Sequence, residues 1–157
     1  MLVSAALDTD VALAGCTDAP SPGVNWRRCL FYGGDLAGAD LTGAILRDAS
    51  FQRSDLSNSN LSGADAFRAK FITAKMEGAN LTRAGLIEAD LTKSDLTGAI
   101  LKDADLRGAR LIDTVLRKAD LTGARLDRAE FRNADLSGAR WTDGERICAD
   151  QSIGRCN

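Results

Sequence analysis

The sequence predicts an all-β solenoid: a parallel β-helix whose chain turns through about a quarter circle every five residues and closes a square coil every twenty. Three observations lead there. An inward-type residue stands at every fifth position from Trp26 to Trp141, and only Ala66 in that series is not a large apolar side chain. Two positions before each of these centres the residue is small, with Ala at seventeen of the twenty-four sites and Ser54, Ser59, Ser94 and Thr114 among the rest. Finally, Phe31, Phe51, Phe71 and Phe131 are the only phenylalanines at the centres, and all are separated by multiples of twenty.

The period excludes the ordinary elements. Residues five apart on an α-helix are rotated by about 500°, which spreads them around the surface. On a plain strand each step of five changes face. A square coil instead points every centre, and the small residue two before it, at one axis. Residues twenty apart then stack, so the four phenylalanines form one aromatic column completed by Leu91 and Leu111. Four five-residue units per coil predict about six coils over residues 24–143, a rod roughly 29 Å long at about 4.8 Å per coil. Phe67, next to the undersized centre Ala66, predicts a local departure from regular packing, with an exposed contact residue as the alternative.

The units Ala39-Asp40-Leu41-Thr42-Gly43, Ala119-Asp120-Leu121-Thr122-Gly123 and Ala134-Asp135-Leu136-Ser137-Gly138 resemble the consensus of the pentapeptide repeat family. The resemblance covers residues 24–143 and implies a right-handed quadrilateral β-helix.

A solenoid must close its two open ends. Residues 1–23 are expected to cap the first coil, with Pro20 and Pro22 making the connection irregular, and residues 144–157, which break phase, to cap the last. Trp26 and Trp141, the first and last centres, suit those closures. The four cysteines lie in two local pairs near the termini, and two disulfides, Cys16 with Cys29 and Cys148 with Cys156, are expected from spacing and location. Four reduced cysteines filling the ends is the alternative. Disulfides imply the periplasm or another extracytoplasmic compartment, and reduced thiols the cytoplasm. Leu13-Ala14-Gly15-Cys16 resembles the cleavage junction of bacterial lipoproteins, but Asp8 and Asp10 interrupt the apolar stretch and no basic residue precedes it. An uncleaved segment packed over the fold is therefore the expectation.

Composition bounds the chemistry. Twenty Lys and Arg against twenty-two Asp and Glu leave a net charge of −2, and the chain has no histidine. Neither nucleic-acid binding by a basic field nor a His-based catalytic or metal site is predicted. Asp35, Asp40, Asp55, Asp95, Asp120 and Asp135 directly precede inward leucines, so they point outward, solvated or bonded to local backbone. No calcium-loop pattern and no phosphate loop occurs, and no Lys is placed to serve a Ser or Cys nucleophile. The expectation is a non-enzymatic protein without cofactor, metal or catalytic residues, and without a transmembrane segment.

Two binding readings remain. The first is an interaction or scaffold module presenting flat faces to an unidentified protein partner or to a second copy of itself. Its candidate patch is Leu30, Tyr32, Ile72 and Ile112, which share a face. Ile45, Ile87, Ile100 and Val115 are further outward apolar residues. The alternative is a DNA mimic directed at gyrase or another topoisomerase, as the resemblance to quinolone-resistance members of the family implies. Mimicry requires a continuous acidic surface. The most acidic face, with Asp35, Asp55, Glu77, Asp95 and Asp135, also carries Lys75, Arg117 and Lys118. The face richest in arginine, with Arg27, Arg28, Arg47, Arg68, Arg107, Arg125 and Arg128, is interrupted by Asp48, Asp65, Glu88, Asp105 and Asp127.

Overall fold

A computed structural model of the chain describes residues 15–157. The expectations for the leader and for most of the N-terminal cap fall on residues 1–14 and lie outside the described residues.

The five-residue period is made by one repeated turn. The residue two after each centre has a positive φ, from Arg28 through Gly43, Asp48 and Asn58 to Gly138. The N–H of the next small residue donates to the carbonyl of the centre, as from Ala44 to Leu41 at 3.0 Å and from Ala99 to Leu96 at 3.0 Å. A positive φ at the third residue of such a turn is the signature of type II geometry, in which glycine is cheapest. Many units place Arg, Asp, Lys or Thr there instead.

Each turn redirects the chain, so every side is short. Parallel bridges join residues twenty apart, running from Asn25 with Ile45 to Asp120 with Arg140. At each bridge the lower coil both donates and accepts: Leu41 N–H reaches the Asn60 carbonyl at 2.7 Å, while Asn60 N–H reaches the Ala39 carbonyl at 2.9 Å. A third bond, such as Gly43 N–H to the Ser62 carbonyl at 2.9 Å, ties the corners together. The bridges remain isolated rather than merging into long strands, because a turn follows each one.

Four stacked sides result, identified here by their centres. Side 1 carries Trp26, Leu46, Ala66, Leu86, Leu106 and Leu126; side 2 the phenylalanine column; side 3 Leu36 to Leu136; side 4 Leu41 to Trp141. Centres and small residues fill the axis, and Leu41, Leu61, Leu81, Leu101 and Leu121, with Ala79, Ala99 and Ala119 beside the last three, are excluded from water. Alanine suits the second inward position because the chain has just left a corner and little radius remains. Where Ser or Thr replaces it, the hydroxyl is satisfied: Ser59 donates to the Leu56 carbonyl at 2.7 Å and Ser94 to the Leu91 carbonyl at 2.6 Å. On side 2, Phe31, Phe51 and Phe71 stack with successive centroids 5.2 Å apart and planes 11° and 8° from parallel. Phe131, separated from them by Leu91 and Leu111, packs instead against Trp141 with centroids 6.1 Å apart.

At the two ends the sulfur atoms of Cys16 and Cys29 lie 1.94 Å apart and those of Cys148 and Cys156 2.09 Å apart, each within bonding distance. After Trp141 the chain reverses and runs antiparallel over sides 4 and 3, with bridges Arg140 to Ile147 and Asp135 to Ile153. Among the described residues no helix is long and apolar enough to cross a membrane.

The expected packing irregularity at Phe67 is absent. Ala66 N–H still reaches the Gly85 carbonyl at 2.8 Å, and the Phe67 carbonyl still accepts from Asp48 N–H at 2.9 Å. The ring lies outside the coil, half-buried, with the Arg47 guanidinium 5.0 Å and the Arg68 guanidinium 5.9 Å from its centroid. The register is held by backbone bonds that a smaller centre does not disturb.

Candidate interaction faces

The outer surface is built from the three residues of each unit that do not point at the axis. The bridging residue before each centre is often Asp or Asn, and its side chain turns back on the local backbone. Asp40 Oδ1 accepts from Thr42 N–H at 3.1 Å and from its hydroxyl at 2.6 Å. Asn80 does the same with Thr82, and Asp120 with Thr122. These side-chain oxygens brace the following corner. The titration of the aspartates reflects it: the Thr42 hydroxyl and amide hold Asp40 below the ordinary carboxylate range. For Asp120 burial pushes upward, and the bonds from Thr122 and Lys102 outweigh it.

Basic groups from neighbouring coils cover much of the remaining acidity. Arg107 makes two bonds to the Asp105 carboxylate, at 2.8 and 2.7 Å, and Arg125 approaches the same group from the next coil at 3.7 Å. The Arg107 guanidinium is the main reason Asp105 lies below its usual range. Lys102 pairs with Asp120 at 3.4 Å, Arg110 with Asp90 at 3.3 Å, and Arg68 lies 3.8 Å from Asp48. Charge is therefore mixed at the scale of one coil, and neither the acidic nor the arginine-rich face forms a continuous field. Among the described residues no group of His, Cys, Asp and Glu is arranged to hold a metal ion.

The sequence-derived patch on side 2 divides when placed on the structure. Leu30 is 79% exposed and Tyr32 67%. Ile72 is half-buried, and Ile112, at 6%, is not part of any surface patch. The position after a centre is roofed by its counterparts twenty residues away, so Ile112 lies between Thr92 and Arg132, whereas Tyr32 belongs to the first coil of the stack. Of the other outward apolar residues only Ile100, at 39%, is exposed, while Ile147 and Ile153 in the C-terminal segment, which periodicity could not reach, are 50% and 49% exposed. The Arg53 guanidinium lies 5.6 Å from the Tyr32 ring.

A family model described as Pentapeptide repeats matches in eight copies over residues 22–48, 35–71, 44–83, 67–103 and 104–140. The chain belongs to the pentapeptide repeat family. Its fold is accordingly the right-handed quadrilateral β-helix of pentapeptide repeat proteins, which are generally non-enzymatic scaffold or interaction proteins. Among solved pentapeptide repeat structures, it is similar to HetL, a protein involved in heterocyst differentiation regulation from the cyanobacterium Nostoc sp. strain PCC 7120. The two share 36% identity over 76% of this chain and 56% of HetL, with a TM-score of 0.74. This chain thus spans little more than half of HetL's length. It is also similar to Rfr23 from the cyanobacterium Cyanothece 51142, at 27% identity over 73% of this chain and 88% of that one, with a TM-score of 0.52. No curated protein sequence matches it.

Proposed function

We propose that the protein is a non-enzymatic interaction module that presents the flat faces of its β-helix to a protein partner. The exposed pair Leu30 and Tyr32 carries this reading. A leucine and a tyrosine left in water side by side, with an arginine against the ring, have the composition of an interface anchor. The likeness to HetL supports a regulatory role. Around this anchor the module consists of about six coils over residues 24–143, closed at the C-terminal end by residues 144–157. It works in an oxidising extracytoplasmic compartment, where the pairs Cys16–Cys29 and Cys148–Cys156 stay closed.

A photoreactive residue at position 32, introduced in native cells, tests the face. The expected result is a discrete adduct absent when the probe sits at Lys102 and abolished by Leu30→Asp. Equal labelling from both positions would overturn it. Trapping thiols at lysis tests the compartment: no free thiol is expected, and four would place the protein in the cytoplasm. The DNA-mimic alternative is weakened by the interleaved ion pairs, and gyrase supercoiling should be unaffected by excess protein. Dose-dependent inhibition would favour the mimic instead.

A further inference from the structure

The last coil ends in a step. Sides 3 and 4 are covered by the returning chain, whereas sides 1 and 2 receive no strand among the described residues. One coil earlier, the amides of Leu106, Gly108, Leu111 and Asp113 all find carbonyls in the coil above, at 2.8–2.9 Å. Among the described residues their counterparts on the last coil, Leu126, Arg128, Phe131 and Asn133, have no partner, and the Ala124 and Ala129 carbonyls accept no bond. Leu126 and Phe131 are correspondingly only partly buried, where Leu106 and Leu111 are fully buried. The covering strand has an unfinished edge of its own. At Ile147 and at Ile153 both the N–H and the C=O lack a partner among the described residues.

We propose that this stepped end binds a second copy of the chain across a two-fold axis perpendicular to the rod, each copy's covering strand seating on the other's open sides. The hydrogen-bonding pattern selects that occupant. A parallel bridge of the kind that joins successive coils needs one residue that offers both groups: Asp120 donates to the Ala99 carbonyl at 2.9 Å and accepts from Leu101 N–H at 2.7 Å. Ile147 and Ile153 each offer that pair, and each open side presents the complementary carbonyl and amide.

Direction agrees as well. The covering strand runs antiparallel to the coil beneath it, so in a copy turned over by the two-fold it runs parallel to the open sides it meets. It meets them in chain order, Ile147 opposite the Arg125 bridging position and Ile153 opposite Glu130. Two bonds at each of four bridges give eight in all. Side-by-side docking of open side on open side is prevented, because the raised halves would collide first. Charge is complementary, since residues 124–133 carry three Arg against Asp127 and Glu130, while residues 143–154 carry Asp143, Glu145 and Asp150 against Arg146. An interface of this kind is isologous and closes at two. The contact is confined to the rod's end, so the dimer should dissociate on dilution.

Sedimentation velocity of the full chain over a concentration series tests the proposal. The expected result is a reversible species of twice the 16.6 kDa chain mass, with amide exchange at Leu126 and Phe131 slowed in the dimer. Ile147→Lys, placed opposite Arg125, should weaken association roughly fivefold or more, since symmetry counts the repulsion twice. Adding Arg125→Glu to Ile147→Lys should restore it. Ile147 is exposed, and an unchanged melt of each variant's monomer confirms that the fold is intact. A monomer at every concentration, an open-ended filament, a dimer indifferent to Ile147→Lys, or occupation of the same edge by another protein would each overturn the proposal.

Discussion

Thr92 shows what a single residue can cost in so regular a molecule. Its amide is bonded to Asp90 Oδ1 at 3.0 Å, but its hydroxyl is buried without a partner among the described residues, roofed by Ile72 and Ile112 on adjacent coils. Thr92→Val should therefore stabilise the protein by about 1 kcal/mol, read as a shift in the denaturant midpoint at constant m. Thr73 is strained differently, being a β-branched residue at a φ of 54°. Thr73→Asn, which tolerates that conformation, should add roughly 0.5 kcal/mol by the same measurement. The bracing aspartates set the acid limit. Asp40, Asp55, Asp105, Asp120 and Asp135 all have folded-state values below the ordinary one. Their contribution is present above the unfolded carboxylate pKa of about 3.9 and is lost as pH falls through the lowered folded values. The melting temperature should be level with respect to these groups above about pH 5 and fall below it. Asp120→Asn keeps an Oδ1 acceptor for Thr122 and should flatten that fall.

At the scale of the element, how far the sequence could be read depended on the period. Every centre, every small partner and the phenylalanine column follow from counting in fives and twenties. Ile112 was misplaced on the surface because the burial of an outward residue depends on the side chains twenty before and after it, not on its place within its own unit. Ile147 and Ile153 could not be anticipated at all. Residues 144–157 have no period, and their pairing is antiparallel and fixed by tertiary contact with sides 3 and 4. The Cys148–Cys156 closure spans eight residues, so its loss should destabilise this end by about 2–3 kcal/mol. In Cys148→Ala/Cys156→Ala, exchange at the Leu136 and Gly138 amides, which bond the covering strand at 2.8 and 2.9 Å, should quicken. The Leu81 amide should not change.

For the molecule as a whole, register is the organising quantity. Each coil touches only the coils above and below, so stability accumulates by neighbours rather than around one central core. Duplicating residues 92–111 inserts one full coil, returns every later side chain to its own side, and should leave a cooperatively folded, longer rod. Inserting a single residue after Gly98 points every later centre away from the axis. The first variant should retain β-type circular dichroism with an undiminished melt, and the second should lose the signal of everything downstream.

The vertical bridges between residues twenty apart give the outside of the rod a graduated scale. Moving a side chain by twenty positions in the sequence leaves its lateral address unchanged and shifts its height by one strand spacing, about 4.8 Å. Contacts on such a surface can be slid in discrete notches along a partner without redesigning the scaffold beneath, so a change in binding geometry can be written as a change of index.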